Sequence, residues 1–142
     1  MTPYLAATQQ AGRALFERAP KGPVVMLNLL RFRATAEYAL SPELAPVEPI
    51  TGAMAFDLYI AHTLPFLAAS GGEILFLGDG GDYFIGPATE RWDLVMLIRQ
   101  ASLQSFMAFD SNADYRAGLG HRTAALADSR LLPLTQRVQP SA

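Results

Sequence analysis

Val24-Val25-Met26-Leu27-Asn28-Leu29-Leu30-Arg31-Phe32 is the stretch on which the fold of this chain turns. In an extended strand successive side chains point to opposite faces. Val24, Met26, Asn28, Leu30 and Phe32 therefore share one face, and Val25, Leu27, Leu29 and Arg31 share the other. Both faces are apolar, interrupted by one amide and one cation. A strand greasy on both sides belongs in the middle of a sheet that is covered twice.

The flanks supply the other elements. Residues 4–18 read as a helix with a loose stripe of Leu5, Thr8, Ala11, Gly12, Leu15 and Phe16, stopped by Pro20-Lys21-Gly22-Pro23. Residues 33–50 carry Pro42, Pro46 and Pro49 and read as a long, partly extended insertion, either a lid or a plain spacer. Thr51 or Gly52 opens a helix to about Ser70 with Phe56, Ile60, Leu64 and Leu67 on one side and Gly71-Gly72 at its end. Pro65 predicts a kink near Ala61. Asp79-Gly80 between two apolar runs predicts a hairpin joining strands at 73–77 and 83–85. Residues 92–99 read as a strand and 102–109 as a short helix. Asn112 caps a helix reaching about Ala127, and 131–136 form a last strand that Pro133 assigns to an edge.

This order matches a ferredoxin-like βαββαβ unit of the α+β class, with an extra N-terminal helix and one extra short strand. The expected organisation is a single domain over 1–142: a helical extension at 1–22, the core at 23–136, and the insertion at 33–50. One small chain has too few helices to cover both faces of such a sheet. A second copy is the simplest cover, which predicts a two-fold homodimer built as a dimeric α+β barrel.

Composition narrows the function classes. The 142 residues are 51% hydrophobic and 17% charged, which excludes global disorder. Eleven basic and thirteen acidic side chains give a net charge of −2, which offers no basic footprint for nucleic acid or an anionic membrane. Without cysteine there is no disulfide, thiolate metal site or cysteine nucleophile. The uninterrupted apolar runs fall short of the ~20 residues that cross a bilayer, and the N-terminus lacks the pattern of a secretory signal. The expectation is a soluble, cytoplasmic protein with no cofactor, no metal, no nucleic-acid partner and no membrane partner.

Arg122 is the sharpest candidate. It falls on the stripe of Tyr115, Leu119 and Leu126, which should face the sheet. A guanidinium there stays charged and needs an anion or a carbonyl opposite it. A substrate oxygen would serve, as would Asp93, Glu73, a backbone carbonyl or escape to solvent. Asn28, mid-strand among apolar residues, is either a polar anchor of a greasy pocket or bonded to the backbone of a neighbouring loop. Tyr59 and His62 sit together on the Gly52 helix, and His121 precedes Arg122. The two histidines are the candidate proton shuttles, or else surface or structural residues. Neither a dinucleotide fingerprint, a nucleophile elbow nor a Walker loop occurs. Gly118 and Gly120 cost about 1 kcal/mol each in a helix, which close packing of backbone or ligand against them, or fraying, would explain.

The run Pro23 to Phe32 resembles the opening strand of the domain-of-unknown-function family numbered 1330. So do Pro49-Ile50-Thr51-Gly52 through Tyr59 and Pro65 to Gly71-Gly72, then Trp92-Asp93, the helix at 102–109, and Tyr115 through His121-Arg122 to Leu131. The resemblance spans about residues 23–134 and implies a dimeric α+β barrel, in a superfamily holding cofactor-independent monooxygenases, lactone isomerases and heme-handling enzymes. It implies no particular reaction. Phe56 stands where many relatives would carry a tyrosine.

Two functional expectations result. The first is a metal-independent binder, with acid/base catalysis, of an apolar carboxylate- or carbonyl-bearing molecule held between sheet and helices. Arg122, Asn28, Tyr59 and Trp92 would contact it, and His62 or His121 would move a proton. The alternative is a non-catalytic binding or dimerisation module.

Overall fold

The computed structural model describes residues 2–140. Its element order is α1 (Gln9–Arg18), β1 (Val24–Phe32), α2 (Gly52–Ala69), β2 (Glu73–Asp82), β3 (Arg91–Gln100), α3 (Leu103–Asp110), α4 (Ala113–Arg116), α5 (Leu119–Ala125) and β4 (Leu126–Leu134). The four strands form one sheet in the order β2-β3-β1-β4, with every neighbouring pair antiparallel. This is the α+β ferredoxin-like arrangement, with β1 internal and β4, carrying Pro133, at an edge. Thr51, Ser102 and Asn112 each accept a backbone N–H with their side chains and so start α2, α3 and α4.

The face bearing Val24, Met26, Asn28 and Leu30 is buried beneath the helices. Leu30, Phe56, Met96 and Ala124 to Leu126 form the centre of the core. Met26 and Leu30 are almost wholly enclosed, and each such side chain contributes about 1.5–3 kcal/mol. On the opposite face the register sets Leu27 beside Leu97 and Leu132, and Leu29 beside Val95. Leu27, Leu29, Val95 and Leu97 remain partly exposed there, and Leu132 and Phe76 are about half exposed at 53% and 52%. α1 buries no side chain of its own. α2 is 18 residues long and, by length and composition alone, apolar enough to cross a membrane. Ala55, Phe56, Thr63 and Leu67 are nevertheless buried against the rest of the chain, as in a core helix.

Several local expectations are corrected. The Asp79-Gly80 turn does not form: β2 runs through it, with Asp79 opposite Leu94, Gly81 opposite Trp92 and Asp82 opposite Arg91. Ladder pairing along a ten-residue β3 outweighs the local turn signal, and 83–85 make no strand; the reversal lies in residues 83–90. The glycines serve the strand instead. A Cβ on Gly80 would stand 2.3 Å from the Trp92 carbonyl oxygen, and Gly81 has φ of +154°. The extra short strand of the sequence reading is therefore absent among the described residues. The first helix starts at Gln9, because Thr8 caps it. The helix expected from Asn112 to about Ala127 is two helices broken at Ala117-Gly118, and β4 begins at Leu126, five residues early.

Replacing Gly80 with alanine is expected to lower unfolding stability by about 1–3 kcal/mol in urea titration, since the ladder cannot admit the methyl group. Gly12→Ala, with open space around its Cβ, should leave the midpoint unchanged or slightly raised.

Candidate functional site

A cleft of about 440 Å³, including its open mouth, lies between the sheet and the helices. β1 contributes Asn28, α2 contributes Phe56, Tyr59 and Thr63, β3 contributes Met96, and α5 contributes Arg122. Asn28 and Met96 are cross-strand partners, so they enter the cleft side by side. The walls are otherwise apolar, as expected of a small-molecule site with a few placed polar groups.

Arg122 is half-buried, and one Nη donates to the Leu5 backbone carbonyl at 2.7 Å. Among the described residues it forms no ion pair; Asp93, Asp110, Glu90 and Asp128 pair with Arg91, Arg116 and Arg130 instead. Of the internal partners open to it, the fold thus supplies a carbonyl, and a guanidinium has donors to spare. Asn28 is 8% exposed and donates through Nδ2 to the Met26 carbonyl on its own strand at 3.2 Å. Its Oδ1 accepts no hydrogen bond among the described residues.

Tyr59 hydrogen-bonds the buried Tyr115 hydroxyl at 2.6 Å. Phe56, Tyr59, Tyr115 and Phe109 form a run of stacked and tilted rings with centroids 5.2, 6.2 and 4.3 Å apart. Burial first, and then Tyr59, push the Tyr115 hydroxyl far above its ordinary range, while Arg122 pulls the other way. Two hydroxyls sharing one bond leave a second O–H proton for a third acceptor.

The histidines lie off the cleft wall. His62 Nε2 sits 2.8 Å from the Asp114 carbonyl and 3.1 Å from that of Tyr115, a donor to the end of α4. Its ring presses on Gly118, where a Cβ would come within 2.2 Å of it. That contact explains the glycine and the helix break together. Gly120 similarly makes room for Ser41 and Leu44 of the 33–50 insertion. His121 Nδ1 meets the Tyr38 hydroxyl of that insertion at 2.8 Å. The insertion is a fixed strap: Arg33 and Glu37 donate backbone N–H groups to the carbonyls of Ala125 and Ala124.

Trp92 lies apart as well, buried with its Nε1 donating to the Tyr83 hydroxyl at 2.7 Å. The Arg130 guanidinium is held between the Trp92 and Tyr4 rings, 5.0 and 4.8 Å from their centroids. Asp128 accepts from the Tyr4 N–H and pairs with Arg130. Burial raises its pKa, but those bonds and the Ser129 N–H outweigh it and hold the carboxyl below its usual range. Tyr4, Leu5, Arg122, Asp128, Ser129 and Arg130 thus fasten the N-terminal segment across β4 and α5. Among the described residues no three His, Asp or Glu side chains gather as a metal site would require.

The sequence reading missed Thr63, Tyr115 as a hydroxyl partner, and Leu5. Thr63 was detectable: it lies seven residues after Phe56 and four before Leu67, on the buried stripe of α2.

Burial, followed by the charge of His62, holds the His121 pKa below 6.5. The unfolded chain therefore binds a proton that the folded one resists, so stability is whole above pH 6.5 and declines as pH falls below it. Thermal melts between about pH 5 and 7 should show this slope in the native protein and a shallower one in His121→Gln.

No protein-family model matches the chain, and no curated protein does. Among solved structures, a dimeric ferredoxin-like protein of unknown function from Thermobifida fusca is 18% identical, with a TM-score of 0.47 over 83% of this chain and 94% of that one. The methylated RPA0582 protein is 30% identical, with a TM-score of 0.86 over the whole of both chains. RPA0582 of Rhodopseudomonas palustris, a protein of unknown function, superposes with a TM-score of 0.83 at 30% identity over 98% of this chain and 100% of that one. Over that coverage and identity, this chain belongs to the family of RPA0582.

Proposed function

We propose that this protein binds a small apolar molecule bearing a carboxylate or carbonyl in the cleft between sheet and helices, as a cytoplasmic homodimer. The observation that carries the reading is Arg122: a permanent cation on the wall of an apolar cleft, met among the described residues by a neutral carbonyl rather than a carboxylate. A ligand anion offers it a stronger partner than Leu5 does. Asn28 presents an uncommitted amide oxygen from the sheet, and Tyr59 a hydroxyl from α2. His62, His121 and Trp92 serve the scaffold in this reading, so the activity is binding first; any proton transfer would fall to the Tyr59–Tyr115 pair. The order of motifs along 23–134 supports membership of domain-of-unknown-function family 1330.

The dimer reading rests on the half-exposed apolar face of the sheet, with Phe76, Leu97, Leu27 and Leu132 lying side by side across all four strands. A second copy brings the same face, which suits an isologous interface. Burying this face in the pair leaves each cleft on the outer, helical side.

Arg122→Met should weaken binding of small aromatic carboxylates at least about tenfold by calorimetry while the circular dichroism spectrum stays unchanged. Equal affinity in the variant refutes the site. Leu27→Glu, or Leu132→Glu at the edge, should convert the species seen by sedimentation velocity from dimer to monomer. A native protein that sediments as a monomer refutes the pairing.

A further inference from the structure

The Thr63 hydroxyl is the one buried side-chain polar atom without a hydrogen-bond partner among the described residues. A threonine inside a helix ordinarily donates to the carbonyl four residues earlier. Thr123 does so, to Leu119 at 3.3 Å, but Thr63 makes no such bond to Tyr59. Thr63 is 8% exposed and lines the cleft. A buried hydroxyl left unpaired costs about 1–3 kcal/mol, and valine would fill the same space without that cost.

The neighbours of Thr63 define what would meet it. Tyr59 is one helical turn away on the same side of α2, so the two side chains start about 5–6 Å apart. Tyr59 hydrogen-bonds the Tyr115 hydroxyl, and Arg122 lines the same cleft from α5. Phe56, Ile60, Met96 and Leu67 supply apolar wall around Thr63 and Tyr59. Asn28 adds an amide from the sheet side.

Resting on the carboxylate-binding reading above, we infer that Thr63 is a specificity-determining residue that pairs a second oxygen of the ligand. The ligand class is then a small hydroxy- or oxo-acid whose second oxygen is separated from the carboxylate by an apolar spacer, since the cleft walls are otherwise apolar. Arg122 holds the carboxylate, the apolar walls hold the spacer, and Thr63 donates to or accepts from the distal oxygen.

The test compares 4-hydroxybenzoate with benzoate, and 6-hydroxyhexanoate with hexanoate, by calorimetry on the full chain. The native protein should bind the hydroxylated member of at least one pair about tenfold more tightly. Thr63→Val should erase that preference, keep the affinity for the unhydroxylated acid, and melt no lower than the native protein. Thr63→Ser should retain the preference. Equal binding within both pairs, or a preference that survives Thr63→Val, overturns the role of Thr63 while leaving the Arg122 site standing. No binding of any of the four acids overturns both.

Discussion

β1 hydrogen-bonds to β3 along one edge and to β4 along the other, so its nine residues cannot be moved without dissolving the sheet. Its side-chain alternation then dictates what each face of the sheet must meet. Val24, Met26 and Leu30 meet the helices and are almost wholly enclosed, while Leu27 and Leu29 face outward and stay partly exposed. A sheet with apolar side chains on both faces and helices on one is the constraint from which both the core and the proposed pairing derive.

The same strand sets the site. Asn28 occupies a position on the helix-facing side where its neighbours Met26 and Leu30 are core residues. Its amide therefore lines the cleft between sheet and α2 that Arg122 and Thr63 also line from the helices. Three polar groups with incomplete hydrogen bonding line one apolar cleft, whereas the other buried side-chain polar atoms among the described residues are satisfied, as Gln100 is with Ser70 and Ser129 with Tyr4. Around the cleft the molecule is braced. His62 ties α2 to α4, Tyr38 and His121 tie the insertion to α5, and Arg130 clamps the N-terminal segment.

Strong periodicity was legible. β1, α2 and α3 stand where alternation or helical spacing put them, because burial of a whole face selects those periods. Arg122 does line the cleft, although the single helix from which its stripe was read is broken at Gly118 and ends before Leu126, which opens β4. Local turn chemistry misled at Asp79-Gly80. There the glycines answer a close approach by the Trp92 carbonyl, a contact between residues twelve positions apart that no short window contains. Gly118 hid its reason similarly, in the ring of His62 from another helix. The histidines and Trp92 drew attention because their residue types are versatile, and the fold engages one ring nitrogen of each with a carbonyl or a hydroxyl.

Alternating and helical patterns, being properties of neighbouring residues, sufficed to specify the α+β class, the central position of β1 and the edge position of β4. Which polar atoms would be left without partners could not be read that way. Hydrogen bonding across the fold depends on distances between residues far apart in the chain, such as Leu5 and Arg122 or Tyr59 and Tyr115. Only the packed arrangement shows that Thr123 finds its carbonyl while Thr63 does not.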